Sequence, residues 1–84
     1  MATEIAGGIR SKIWQDSMGH YIVTQGPASV YMQGDDALAF GEQLEAIRKR
    51  PGNWIEHAHM IDRLADDYSH LMEIKPPEMI GSGL

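Results

Sequence analysis

Cysteine is absent from this 84-residue chain, phenylalanine occurs once, and seven basic side chains stand against twelve acidic ones. Without cysteine there is no disulfide framework, no thiolate nucleophile and no zinc–thiolate site, which suits a reducing compartment. No apolar run approaches the ~18 residues of a membrane span, and the N-terminus lacks a basic-then-apolar leader pattern, so a cytoplasmic protein with no membrane partner is expected. The formal net charge of −5 sets the mean field against phosphate and disfavours sequence-independent binding to nucleic acid. Catalytic signatures are missing as well. There is no glycine-rich phosphate loop, no G-x-S-x-G elbow, no H-E-x-x-H helix, and no serine spaced to a base. The chain is therefore expected not to be an enzyme and to need no cofactor.

What is present suits one small globular domain. A hydrophobic fraction of 43% is ordinary for a folded chain. A domain of this length buries only about 60–65% of its unfolded surface, which leaves apolar side chains to spare for a partner. Residues 1–8 carry no clear period, and Gly7-Gly8 reads as a flexible entry. Ile9–Gln15 alternates, His20–Gln25 is rich in β-formers, and Ala28–Gln33 alternates again. The breaks Asp16-Ser17-Met18-Gly19 and Gly26-Pro27 have turn chemistry, and their shortness predicts antiparallel neighbours in a three-stranded meander.

After Gly34 the period changes from two to 3.6. Asp35 or Asp36 is placed to cap a helix whose inner stripe is Ala37, Phe40, Gly41, Leu44 and Ile47, and Pro51-Gly52 stops it. A second helix is predicted from Asn53 to the Pro76-Pro77 pair, with Asn53 and Glu56 in the spacing of a capping box. Its apolar stripe runs Trp54, Ala58, Ile61, Ala65, Tyr68 and Met72. Met60, Leu64 and Leu71 widen that stripe to about 160°, more than one neighbour needs, and offer a dimer seam. Six methionines, adaptable in contact, fit such a surface. The expected fold is α+β: a three-stranded antiparallel meander over 9–75 with a two-helix hairpin packed on one face, preceded by a flexible segment 1–8 and followed by a tail 76–84.

Histidines among carboxylates raise the question of a metal. His57 and His59 are two apart and diverge by about 200° on a helix, while His59 and His70 lie about 16 Å apart along it. Asp66 and His70 supply two ligands without a third, so no metal site is expected. His57 falls within the apolar arc, where it needs a hydrogen-bond partner and burial would lower its pKa. The run Arg48-Lys49-Arg50 suits the negative end of the first helix without any ligand. Asp62, Asp66 and Glu73 read as a solvated acidic face of the second helix that can dock on a basic surface.

Alternation divides the sheet into two sets. Ile9, Ile13, Ile22, Val30 and Met32, aliphatic and uncharged, are expected to face the helices. Arg10, Lys12, Trp14, Tyr21 and Tyr31 then share the uncovered face with Val23. Tryptophan, tyrosine and arginine are the side chains that dominate binding hot spots, so this aromatic-basic face is the first candidate partner site. Such faces also stack single-stranded nucleic acid, and a nucleic-acid-binding accessory protein is the alternative.

Tyr21-Ile22-Val23-Thr24, then Val30-Tyr31-Met32 running into Asp35-Asp36-Ala37-Leu38-Ala39 and a charged helix pair, resembles in layout many small phage-encoded accessory proteins. The resemblance covers about residues 20 to 50 and carries over no functional residue. It implies action by binding a host protein, as inhibitors of defence complexes and of RNA polymerase do. The expected function is thus a small acidic, non-enzymatic protein-binding module, an inhibitor or accessory protein, with a host protein or a second copy as its partner.

Overall fold

The computed structural model describes residues 1–74. Its element order is β1 (Thr3–Gly7), β2 (Ser11–Gln15), β3 (Tyr21–Gln25), β4 (Ala28–Met32), α1 (Gly34–Lys49), α2 (Trp54–Asp67), a single 3₁₀ turn (Ser69–Leu71) and β5 (Glu73–Ile74). The strands form one antiparallel sheet in the order β1-β2-β3-β4-β5. The class is α+β, but four strands precede the helices where three were expected. The expected tail 76–84 lies outside the described residues.

The additional strand is the segment expected to be flexible. Thr3–Gly7 pairs with β2 through Thr3↔Gln15, Glu4↔Trp14, Ala6↔Ile13 and Gly7↔Lys12, with a bulge between Glu4 and Ala6. A bulge inserts one residue and breaks the two-residue period, so Ile5 and Ala6 both pack against the core. The guanidinium of Arg48, in the last turn of α1, donates to the Ile5 carbonyl at 2.7 Å. That bond ties the bulged edge strand to the helix layer and occupies the first residue of the basic run.

A short connection sets the register in the middle of the sheet. Between β2 and β3, Asp16 Oδ1 accepts the backbone N–H of Met18 at 2.9 Å and of His20 at 3.0 Å. Gly19 takes the left-handed conformation there (φ 87°), which closes the connection at little steric cost. The register that results is Gln15↔Tyr21, Trp14↔Ile22 and Ile13↔Val23. Paired residues share a face, so Ile22 joins Trp14 on the outer side, and Tyr21 and Val23 point inward. This corrects the expected division, in which Ile22 was inside and Tyr21 and Val23 outside. Ile9 is corrected too: it lies in the β1–β2 turn and is 54% exposed.

The core lies between the sheet and the two helices. Ile13, Val23, Met32, Phe40, Leu44, Ile61, Leu64 and Ala65 are buried in one cluster. Phe40 is its largest member, flanked by Tyr21 (centroids 5.2 Å, tilted 53°) and Tyr68 (5.2 Å, 80°). Aromatic pairs in such edge-on and tilted arrangements add about 0.5–1.5 kcal/mol each beyond the area they bury. The stripe of α1 is as expected: Ala37, Phe40 and Leu44 are buried and Ile47 packs against the cluster. Its N-cap, however, is Gln33, which makes no side-chain cap bond, and Asp35 and Asp36 sit within the first turn.

In α2 the Asn53 side chain accepts the Glu56 N–H at 3.0 Å, as a capping residue should. The helix stops at Asp67, well short of Pro76, and Tyr68 N–H closes it on Ala65. Trp54, expected at the head of the apolar stripe, is 73% exposed, and packing begins at Ala58. No helix among the described residues is long and apolar enough to cross a membrane.

Candidate interaction surface

Both helices pack on the face of Ile13, Val23 and Met32, which leaves the opposite face of the sheet as its outer surface. Glu4, Trp14, Ile22 and Tyr31 are successive cross-strand partners there, one row spanning β1 to β4. The neighbouring row is Lys12, Thr24, Ser29 and Glu73. Trp14 and Ile22 are half-buried by their neighbours, and Tyr31 is 50% exposed. Beside them Leu71 and Glu73 rise over Ile22, Ser29 and Tyr31 to form a groove of about 450 Å³.

Tyr31 is held in place by polar contacts. Its hydroxyl donates to Asp16 Oδ2 at 2.9 Å and also meets His20 Nδ1, whose ring stands edge-on to the phenol at 5.3 Å. His20 Nδ1 lies 3.4 Å from the same carboxylate oxygen. Partial desolvation pushes the Asp16 pKa up, but the Tyr31 hydroxyl, the His20 and Met18 N–H groups and the nearby imidazole bring it below the usual carboxylate value. The hydrogen bond to Asp16 raises the Tyr31 pKa above that of a free phenol, with desolvation adding to it. The cluster fixes the β2–β3 connection to β4 and orients the exposed ring.

Of the five residues expected on the partner face, three are there. Lys12, Trp14 and Tyr31 lie on the outer rows. Tyr21 faces inward onto Phe40. Arg10 lies in the β1–β2 turn and pairs with Asp66, Nη2 to Oδ2 3.2 Å. The face is thus more apolar and less basic than its composition promised.

The acidic face of α2 is taken apart. Asp62 is 7% exposed and serves as the anchor of the β1–β2 turn. It accepts the N–H of Ile9 at 3.0 Å, the N–H of Arg10 at 3.1 Å and the hydroxyl of buried Ser11 at 2.7 Å. Desolvation pushes its pKa up, yet Ser11, the two backbone N–H groups and the Arg10 charge hold it below the ordinary value, so it stays ionised. Asp66 is occupied by Arg10 and by Gln25, whose Nε2 donates to it at 2.7 Å. Glu73 belongs to β5, because α2 ends before it. These three carboxylates do not form one docking face.

The expected dimer seam is also dispersed. Leu64 is buried (4% exposed), Met60 lines a shallow cleft between α1 and α2, and Leu71 borders the outer-face groove. His57 avoids the core: its Nε2 bonds to the Arg50 carbonyl at 2.8 Å, capping the end of α1. Among the described residues no three histidine or acidic side chains come together to hold a metal ion.

Asp62 and Ser11, with Gly8 beside them, form a polar cluster that sequence reasoning missed. Asp62 stands four residues after Ala58 and three before Ala65, within the buried arc of α2 rather than opposite it. A carboxylate at the rim of an apolar stripe signals a buried acceptor in search of donors. Gly8 supplies the close approach: a Cβ there would lie 2.8 Å from the Ala58 carbonyl oxygen and collide with the Asp62 carboxylate. Compared with known proteins, the chain matches no family model, no curated protein and no solved structure.

Proposed function

We propose that this protein is a small non-enzymatic binding module, an accessory or inhibitor protein of the cytoplasm, that engages a protein partner through the outer face of its sheet. The observation that carries this is the row Trp14–Ile22–Tyr31, apolar and aromatic, on the face turned away from both helices. Aromatic side chains with few rotors, held in place before binding, lose little entropy when a partner covers them. Tyr31 is so held by Asp16 and His20. The groove under Leu71 gives the partner a concave point of entry.

Commitment of Arg10 to Asp66 leaves Lys12 as the base of these rows, while Glu4 and Glu73 flank them. That charge pattern favours a protein over a phosphate backbone. The test is capture of a partner by immobilised wild-type protein and by a Trp14→Ala, Tyr31→Ala variant, alongside retardation of a labelled single-stranded oligonucleotide at low salt. The expected result is a protein captured by wild type and lost in the variant, with no retardation. Retardation that weakens steeply with salt and depends on the same two residues would replace the protein partner with nucleic acid.

A further inference from the structure

We propose that a second groove, between the β2–β3 connection and α1, docks a short segment of another protein in which a bulky apolar side chain is flanked by lysine or arginine. This goes beyond the outer-face reading and uses different residues. The groove is open to solvent and has a volume of about 660 Å³, within the ~300–1,000 Å³ range of ligand sites. Tyr21, Ala37 and the backbone at Gly41 line its inner part. Gly41 lets the Tyr21 side chain close onto α1 as part of the groove wall, since a Cβ there would meet the Tyr21 hydroxyl at 2.9 Å. Met18 from the connection and Leu38 from α1 also line it, at 76% and 69% exposure.

The rim defines the occupant. Asp35, Glu42 and Glu45 line the groove and recur on α1 at helical spacing with Leu38, so they share its face. The ion pairs among the described residues are Arg10–Asp66 and Asp16–His20, so none of the three rim carboxylates is neutralised by a base within contact. An apolar wall beneath an uncompensated acidic rim is complementary to an apolar anchor with cationic neighbours, and it repels phosphate. His20 connects the two surfaces, lining this groove while bonding to Tyr31 of the outer face.

The probe is a fluorescein-labelled synthetic peptide with a central Trp-Leu pair flanked by lysines. Two companions replace the pair by Ser-Ser or the lysines by glutamates. Fluorescence anisotropy with the full chain, at low and moderate salt, should show saturable binding of the first peptide alone. Glu42→Gln with Glu45→Gln should weaken it about three- to tenfold, as expected for exposed charge pairs. Leu38→Ser should weaken it about tenfold or more, as loss of a central apolar contact does. Trp14→Ala should leave it unchanged, which separates failure of this proposal from failure of the outer-face reading. All these side chains but Trp14 are exposed, and far-UV circular dichroism of each variant verifies the fold. Equal binding of the Ser-Ser peptide, absence of binding, or indifference to the Leu38 and glutamate variants would overturn the proposal. So would a concentration-dependent rise in mass by light scattering that Leu38→Ser abolishes, since a second copy would then fill the groove.

Discussion

Replacing Asp62 by asparagine tests how the β1–β2 turn is attached to α2. The carboxylate accepts two backbone N–H groups and the Ser11 hydroxyl while only 7% exposed. Asparagine keeps the shape but retains a single acceptor oxygen and turns an NH₂ toward groups that are themselves donors. A hydrogen bond to a charged group contributes about 1.5–3 kcal/mol, and the turn can relax toward water, so the net cost should be about 2–4 kcal/mol. Total stability for a chain of this length is on the order of 4–13 kcal/mol, so the loss is a large fraction of it. The assay is urea unfolding followed by far-UV circular dichroism at neutral pH and in acid. Because the folded pKa of Asp62 is depressed, its contribution is complete above the unfolded value of about 3.9 and is lost as pH falls through the lower folded value. Wild type and Asp62→Asn should therefore differ at pH 7 and converge as the carboxylate is protonated. A difference below about 0.5 kcal/mol at pH 7, typical of an inconsequential surface change, would refute the reasoning, and so would a gap that persists undiminished in acid.

Three further outcomes follow from the packing and the polar clusters. Gly8→Ala should destabilise by about 1–3 kcal/mol through overpacking against Ala58 and Asp62, read from the same urea midpoint. Phe40→Ala should cost about 3–5 kcal/mol, enough to abolish or nearly abolish the cooperative thermal transition, because both Tyr21 and Tyr68 lose their shared ring. Tyr31→Phe should raise the Asp16 pKa toward the ordinary carboxylate value, since the lost hydroxyl is a donor that favours the ionised form, and a carbon-detected NMR titration of the Asp16 carboxyl measures it.

Much of the helical layer was legible because a 3.6-residue period survives intact there. Ala37, Phe40 and Leu44 are buried as their spacing says, and Asn53 caps α2 as its chemistry says. The sheet was legible only where polarity and pleat agree. The Glu4/Ala6 bulge sends both Ile5 and Ala6 to the core and erases the alternation of β1. In β3, Tyr21-Ile22-Val23 is apolar at every position, so the face each takes is decided by the length of the Asp16–His20 connection rather than by hydrophobicity. The reading of the outer face suffered accordingly: Lys12, Trp14 and Tyr31 lie on it, Tyr21 does not, and Ile22 takes the position between Trp14 and Tyr31. Asp62 was misread because a charged side chain on an amphipathic helix is ordinarily solvated, and only its long-range donors in the β1–β2 turn make burial stable.

The central claim is that partners meet the outer face of the sheet at Trp14, Ile22 and Tyr31. Its most direct measurement is site-specific photo-crosslinking, with a photoreactive amino acid at Thr24 on the outer face and, for comparison, at exposed Arg63 on α2. A protein crosslinked from Thr24, not from Arg63, and lost when Trp14 and Tyr31 are replaced by alanine is the predicted result. Crosslinking from Arg63 alone, or from Thr24 with undiminished yield in the double variant, would contradict it.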